Sequence, residues 1–126
     1  MQVLLALFSL VNSVEAFIFT LSNTGLHSFP GNLIPADVTK LMVNVNSLSE
    51  ISPSDLEHLN SLEYLGIGDN LFQEFPNLTA VAATLNKVYA YGNNINYVDP
   101  LILESLYKLT HLSLQYNDLV TFNFTS

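Results

Sequence analysis

Three histidines and eleven carboxylates are the groups of this 126-residue chain that could hold a metal or move a proton. A zinc site would need two or three of His27, His58 and His111 to converge on one point with a carboxylate. A general acid–base pair would set His58 against a neighbour such as Asp55 or Glu57. Neither pattern is supported by the spacing. The histidines fall in three different phases of the period described below, and Asp55 and Glu57 flank a turn, where a solvated face is the simpler reading. No G-x-S-x-G, no H-E-x-x-H and no phosphate-cradling glycine loop is present. "GIGDN" at Gly66–Asn70 mimics part of a glycine-rich motif, but both glycines occupy strand positions. The sequence reads as a protein without a catalytic step, a metal or a cofactor.

What could bind, rather than react, is a set of residues recurring on one face. Lys40, Tyr64, Lys87 and His111 stand at equivalent positions, followed two residues later by Met42, Gly66, Tyr89 and Ser113. Next come Asn44, Gly68, Tyr91 and Gln115, and then Val45, Asp69, Gly92 and Tyr116. Two of the three lysines and four of the six tyrosines of the chain lie in these columns. Tyrosine offers apolar area with a polar tip at little entropic cost, which suits a binding surface. Aromatic residues also favour strands for packing reasons alone. Gly66, Gly68 and Gly92 remove bulk beside the tyrosines, and a shallow depression is expected there. The expected ligand-binding residues are Lys40, Tyr64, Lys87, Tyr89, Tyr91, His111 and Tyr116, facing a protein or glycan.

The elements that must position this face follow from a period. The pattern LxxLxLxxNxL fits four times, at Val38–Leu48, Leu62–Phe72, Leu85–Ile95 and Leu109–Leu119. The starts are 24, 23 and 24 residues apart, and every slot holds an apolar residue or the required asparagine. Between them, Leu48, Ile51, Leu56, Leu59 and Leu62 repeat the spacing of Ile95, Val98, Leu103, Leu106 and Leu109. Ser52-Pro53-Ser54-Asp55 and Asp99-Pro100 supply turn and helix-start signals at matching places. Each repeat therefore reads as a short parallel strand, a turn, and a brief helical or irregular return. The second return is one residue shorter and carries Pro76, which predicts looser packing. One repeat cannot bury its own leucines, so neighbours must stack into a continuous core. Leu65 and Leu112 hold the same core slot in two repeats. Asn46, Asn70, Asn93 and Asn117 are expected to form a ladder, pairing backbone groups that would otherwise be buried unmet.

Over roughly Asn23 to Phe122 the chain resembles the leucine-rich-repeat family. The resemblance implies an α/β leucine-rich-repeat solenoid, with short parallel strands on a concave face and short helical or irregular returns on a convex one. It also implies that ligands dock on the concave strands. "SNTGLHSFPGNLIPADVTKL" (Ser22–Leu41) resembles the N-terminal segment of extracellular members, which usually belongs to a cysteine-rich cap. This chain has no cysteine, and Leu21 stands where one would be expected. Phe17, Ile18 and Phe19 are expected to cover the first repeat by packing alone.

Composition bounds the partners. The formal net charge is -8, which argues against a nucleic-acid surface, since that needs a basic patch to neutralise phosphate. The apolar run Val3–Val11, followed by Val14-Glu15-Ala16, reads as a secretory signal peptide over 1–16. It is too short to span a bilayer, which takes about 20 apolar residues. The expected organisation is a signal peptide (1–16), an N-terminal capping segment (17–37) and about four repeats (38–126), the last incomplete. "NFTS" ends that last repeat partway through a return with no polar cap. A truncated product is expected, or self-association through this uncapped end. Two sequons, at Asn77 and Asn123, are candidate glycosylation sites in a secreted chain.

These residues lead to a secreted or ectodomain-derived recognition module. The alternative is a structural or assembly unit, or a fragment of a larger receptor. An intracellular repeat protein would require that the N-terminus be retained.

Overall fold

The computed structural model describes residues 17–120. The signal-peptide reading of 1–16 and the sequon at Asn123 therefore lie outside the described residues.

Five short strands form one parallel sheet in chain order: β1 (Ile18–Thr20), β2 (Lys40–Met42), β3 (Tyr64–Gly66), β4 (Lys87–Tyr89) and β5 (His111–Ser113). Parallel neighbours need a crossover, and here each crossover is the return of one repeat. The register aligns equivalent residues: Phe19, Leu41, Leu65, Val88 and Leu112 lie in one line across the sheet. Because side chains alternate along a strand, that line faces inward and its flanking residues face outward. Leu41, Leu65 and Val88 are fully buried, with Val43, Ile67 and Ala90 beside them.

The returns close the core from the other side. Pro53–Asp55 and Thr79–Val81 each make one 3-10 turn, and α1 spans Pro100–Ser105. Proline at the first helical position loses no hydrogen bond, because that N–H has no intrahelical partner. Asp99 caps α1 by accepting from the Leu101 N–H at 3.0 Å. The second return is not loose, contrary to the expectation from its length and Pro76. Phe72, Phe75, Leu78, Val81 and Leu85 are all buried. Two phenylalanines supply volume where neighbouring repeats have leucine, isoleucine or valine. A parallel bridge between Glu74 and Tyr97 ties this return to the next repeat.

The N-terminal segment holds more order than its sequence suggested, since β1 continues the sheet. Of Phe17, Ile18 and Phe19, only Phe19 packs on the core; Ile18 is 53% exposed because the alternation turns it outward. Leu21 and Leu26 supply the remaining cover. Thr24 stands where later repeats place asparagine, and its hydroxyl donates to the Leu21 carbonyl at 2.6 Å.

At the other end the core is thinner. Leu109, Leu112, Leu114 and Leu119 are half-buried, whereas Leu62, Leu65, Ile67 and Phe72 in the same slots are buried.

Candidate binding face

Each strand is followed by one residue in the left-handed region: Asn23 (φ 55°), Val45 (55°), Asp69 (53°), Gly92 (67°) and Tyr116 (57°). Asparagine, aspartate and glycine tolerate this conformation, while valine and tyrosine do not favour it. The kink turns the chain away from the sheet and delivers the following asparagine inward. Asn70 Nδ2 donates to the Val43, Ile67 and Gly68 carbonyls, each at 3.1 Å, and its Oδ1 accepts from the Leu48 N–H at 3.0 Å. Asn93 repeats this with Ile67, Ala90, Tyr91 and the Phe72 N–H. Asn117 does so with Ala90, Leu114, Gln115 and the Ile95 N–H. Asn46 bonds to Leu21, Val43 and Asn44 and accepts from the Thr24 and Leu26 N–H groups. Every one of these amides thus joins its own turn to the preceding repeat.

With its turns fixed, the sheet presents a constant outward face. Tyr64 and Tyr89 stack across β3 and β4, with ring centroids 4.9 Å apart and planes at 29°. Lys40, from the strand on the other side of Tyr64, places Nζ 4.3 Å from the Tyr64 ring centroid. An ammonium over an aromatic face is attracted by the ring quadrupole. Both faces of Tyr64 are therefore covered. Burial, followed by the neighbouring phenols of Tyr89 and Tyr91, pushes the Tyr64 hydroxyl above its ordinary value of 10.0.

The depression expected at the glycines is filled. Gly66 and Gly68 are buried. A Cβ at Gly68 would lie 2.5 Å from Tyr91 Cζ, so the Tyr91 ring rests on the Gly68 backbone. Asn44, two residues beyond β2, reaches across to accept the Gly68 N–H at 2.7 Å, and its side chain lies against Gly66. Gly92 is closed by the Asp69 carboxylate. The glycines are places where neighbouring side chains lie down on the sheet. That use depends on the next repeat and is invisible in a single one.

The sequence-predicted residues are brought together unevenly. Lys40, Tyr64 and Tyr89 form one contiguous strip, and Tyr91 lies beside it on Gly68. Lys87 pairs in register with Tyr64 on one side and His111 on the other. His111 is exposed, its Nδ1 2.9 Å from Thr110 Oγ1. Tyr116 stands apart at a left-handed turn and is 85% exposed. Asn44 was named in the sequence only as an outward position; its amide type was the available signal for a cross-strand bond.

The histidines do not converge. His58 lines a cleft of about 290 Å³ with Asp55, Ser54 and Gly31, but its Nε2 donates to the Ile34 carbonyl at 2.8 Å. That bond ties one return to the segment before it. Among the described residues, no three histidine or acidic side chains group so as to hold a metal ion. No helix among them is long and apolar enough to cross a membrane. On the return side, Asn77 is half-buried, and its Oδ1 accepts from the Thr79 N–H at 3.1 Å and hydroxyl at 2.7 Å.

No family model matches the chain. It is similar to human leucine-rich repeats and immunoglobulin-like domains protein 3, with 31% identity over 86 residues, 68% of this chain and 8% of that protein. It is also similar to human leucine-rich repeats and immunoglobulin-like domains protein 1, with 30% identity over 95 residues, 75% of this chain and 9% of that protein. The chain spans less than a tenth of the length of either relative. The parallel sheet, the recurring strand–turn–return and these similarities relate the chain to leucine-rich-repeat proteins.

Proposed function

We propose that this chain is a non-catalytic recognition module, secreted or part of a receptor ectodomain, that binds a macromolecular partner through the outward face of its sheet. In this reading the repeats form a leucine-rich-repeat solenoid and the outward strand face is its concave side. The observation that carries the proposal is the packed strip of Lys40, Tyr64 and Tyr89, with Tyr91 resting on Gly68 beside it. Aromatic groups already ordered in the free protein lose little entropy on binding. The glycan reading of Asn77 is compatible with this face, since Asn77 lies in a return and a glycan there would leave the strands open.

The test is partner capture from extracellular fluid by the full chain and by the Tyr89→Ser, Tyr91→Ser double variant. A partner held by the native chain and lost by the variant, at unchanged circular dichroism, supports the face. Equal capture by both moves the site elsewhere.

A second reading is favoured by the half-buried leucines of the β5 end. There the chain is a structural unit, and these leucines are covered by another copy or by further repeats of a longer chain. Sedimentation across a wide concentration range separates the two, because only cover by another copy predicts a concentration-dependent size.

A further inference from the structure

We infer that the outward face of the sheet is selective for an acidic protein segment, an inference that rests on the proposed use of this face. Its basis is a segregation of charge. The chain carries eleven carboxylates against three lysines and no arginine, for a net charge of -8. Yet of the sixteen outward positions that the four repeats give to this face only Asp69 is acidic, and the three columns nearest the strands hold no Asp or Glu. Lys40 and Lys87 occupy two of them and His111 a third. Glu63 precedes β3, and Asp69 follows it at the left-handed turn, where its carboxylate lies against Gly92 rather than over the strands. An acidic molecule has thus kept one face neutral to cationic, which repels other copies of itself least there and attracts an acidic partner most.

The aromatic geometry narrows the partner's class. Within the strip Tyr64 offers a sugar ring no open face, since Lys40 lies on one side and Tyr89 on the other. Tyr91 lies against Gly68. What the strip offers outward is ring edges, phenol hydroxyls and ammonium groups. These match carboxylates and backbone carbonyls, all of them acceptors. Two lysines are also too sparse for a densely sulfated chain. Lys40 and Lys87 lie two strands apart, a separation of about 10 Å. An extended peptide sets same-side carboxylates at i and i+2 about 7 Å apart, a difference that two long lysine stems can take up.

The experiment uses the full chain and a fluorescently labelled poly-glutamate peptide, read by anisotropy, with a heparin fragment as the parallel arm. The protein's own net charge opposes association, so binding requires a local cationic face. The inference predicts binding that weakens as salt rises. It predicts about tenfold weaker binding for the Lys40→Gln, Lys87→Gln double variant, and unchanged binding for Lys108→Gln, which lies between α1 and β5. Absence of poly-glutamate binding, or binding of heparin alone, overturns the acidic selectivity and leaves the proposed face standing. A loss in Lys108→Gln equal to that of the double variant overturns the face as well as the selectivity.

Discussion

Tyr64 and Tyr89 stack diagonally rather than side by side: the register partner of Tyr89 is Gly66, and that of Tyr64 is Lys87. A residue without a side chain opposite Tyr89 lets its ring lean along the sheet toward the neighbouring tyrosine. With Lys40 on the far side, three residues from three successive repeats make one contact line. The face is therefore a product of stacking, and no isolated repeat contains it.

Burial and the adjacent phenols make the Tyr64 hydroxyl harder to ionise than in the unfolded chain. A raised folded value means that the folded state holds its proton more tightly. The resulting stability is complete below the ordinary tyrosine range and is lost as pH rises through the raised value. Alkaline titration followed by phenolate absorbance should show a late-ionising tyrosine that disappears in Tyr64→Phe. Titration of the native protein as one uniform class would contradict the stack.

Asn70→Leu should cost about 2–3 kcal/mol. The substitution leaves the Leu48 N–H unpaired, at about 1–3 kcal/mol, and takes one of two donors from the Val43, Ile67 and Gly68 carbonyls, which keep bonds from Asn46, Asn93 and the Val45 N–H. Urea denaturation of the purified variant measures it. A loss below about 1 kcal/mol would mean that water replaces the amide.

Leu65 and Leu112 occupy the same slot and were expected to be equivalent, but Leu65 is fully buried and Leu112 only half-buried. Leu65→Asp should therefore unfold the chain at neutral pH, since it forces a carboxylate into the core. Leu112→Asp should keep native circular dichroism at reduced melting temperature. Equal loss in the two would show that the β5 end is as tightly covered as the centre.

The same contrast indicates what the sequence could reveal. Strand positions, inward residues and the asparagine turns follow from periods visible in one chain, because stacking forces equivalent residues into line. The strand in the N-terminal segment was not legible, since Thr24 replaces the diagnostic asparagine and Phe19 stands where leucine is usual. The roles of Gly66 and Gly68 depended on side chains from adjacent repeats, as did the cover over Tyr64. The tight second return was missed because Pro76 signals a break locally, whereas Phe72 and Phe75 restore packing through volume.

Val45 is a β-branched residue at φ 55° and 48% exposed, so it carries backbone strain while burying little. Three of the four equivalent positions hold types that tolerate this region, Asn23, Asp69 and Gly92, and the fourth holds Tyr116. Val45→Asn should stabilise the protein by about 1 kcal/mol, by relieving the left-handed penalty without adding the chain entropy of glycine. A rise in melting temperature checks this, and a fall would mean that the Val45 side chain makes packing contacts that outweigh the strain.

The outward face as the binding surface is tested most directly by tyrosine footprinting of the chain with a captured partner. Tyr97 and Tyr107, 53% and 69% exposed and outside the strands, serve as internal controls. Partner binding should suppress modification of Tyr89 and Tyr91 while leaving Tyr97 and Tyr107 as reactive as in the free protein. Protection of Tyr97 or Tyr107, with Tyr89 and Tyr91 still modified, would place the partner on the returns and contradict the proposed function.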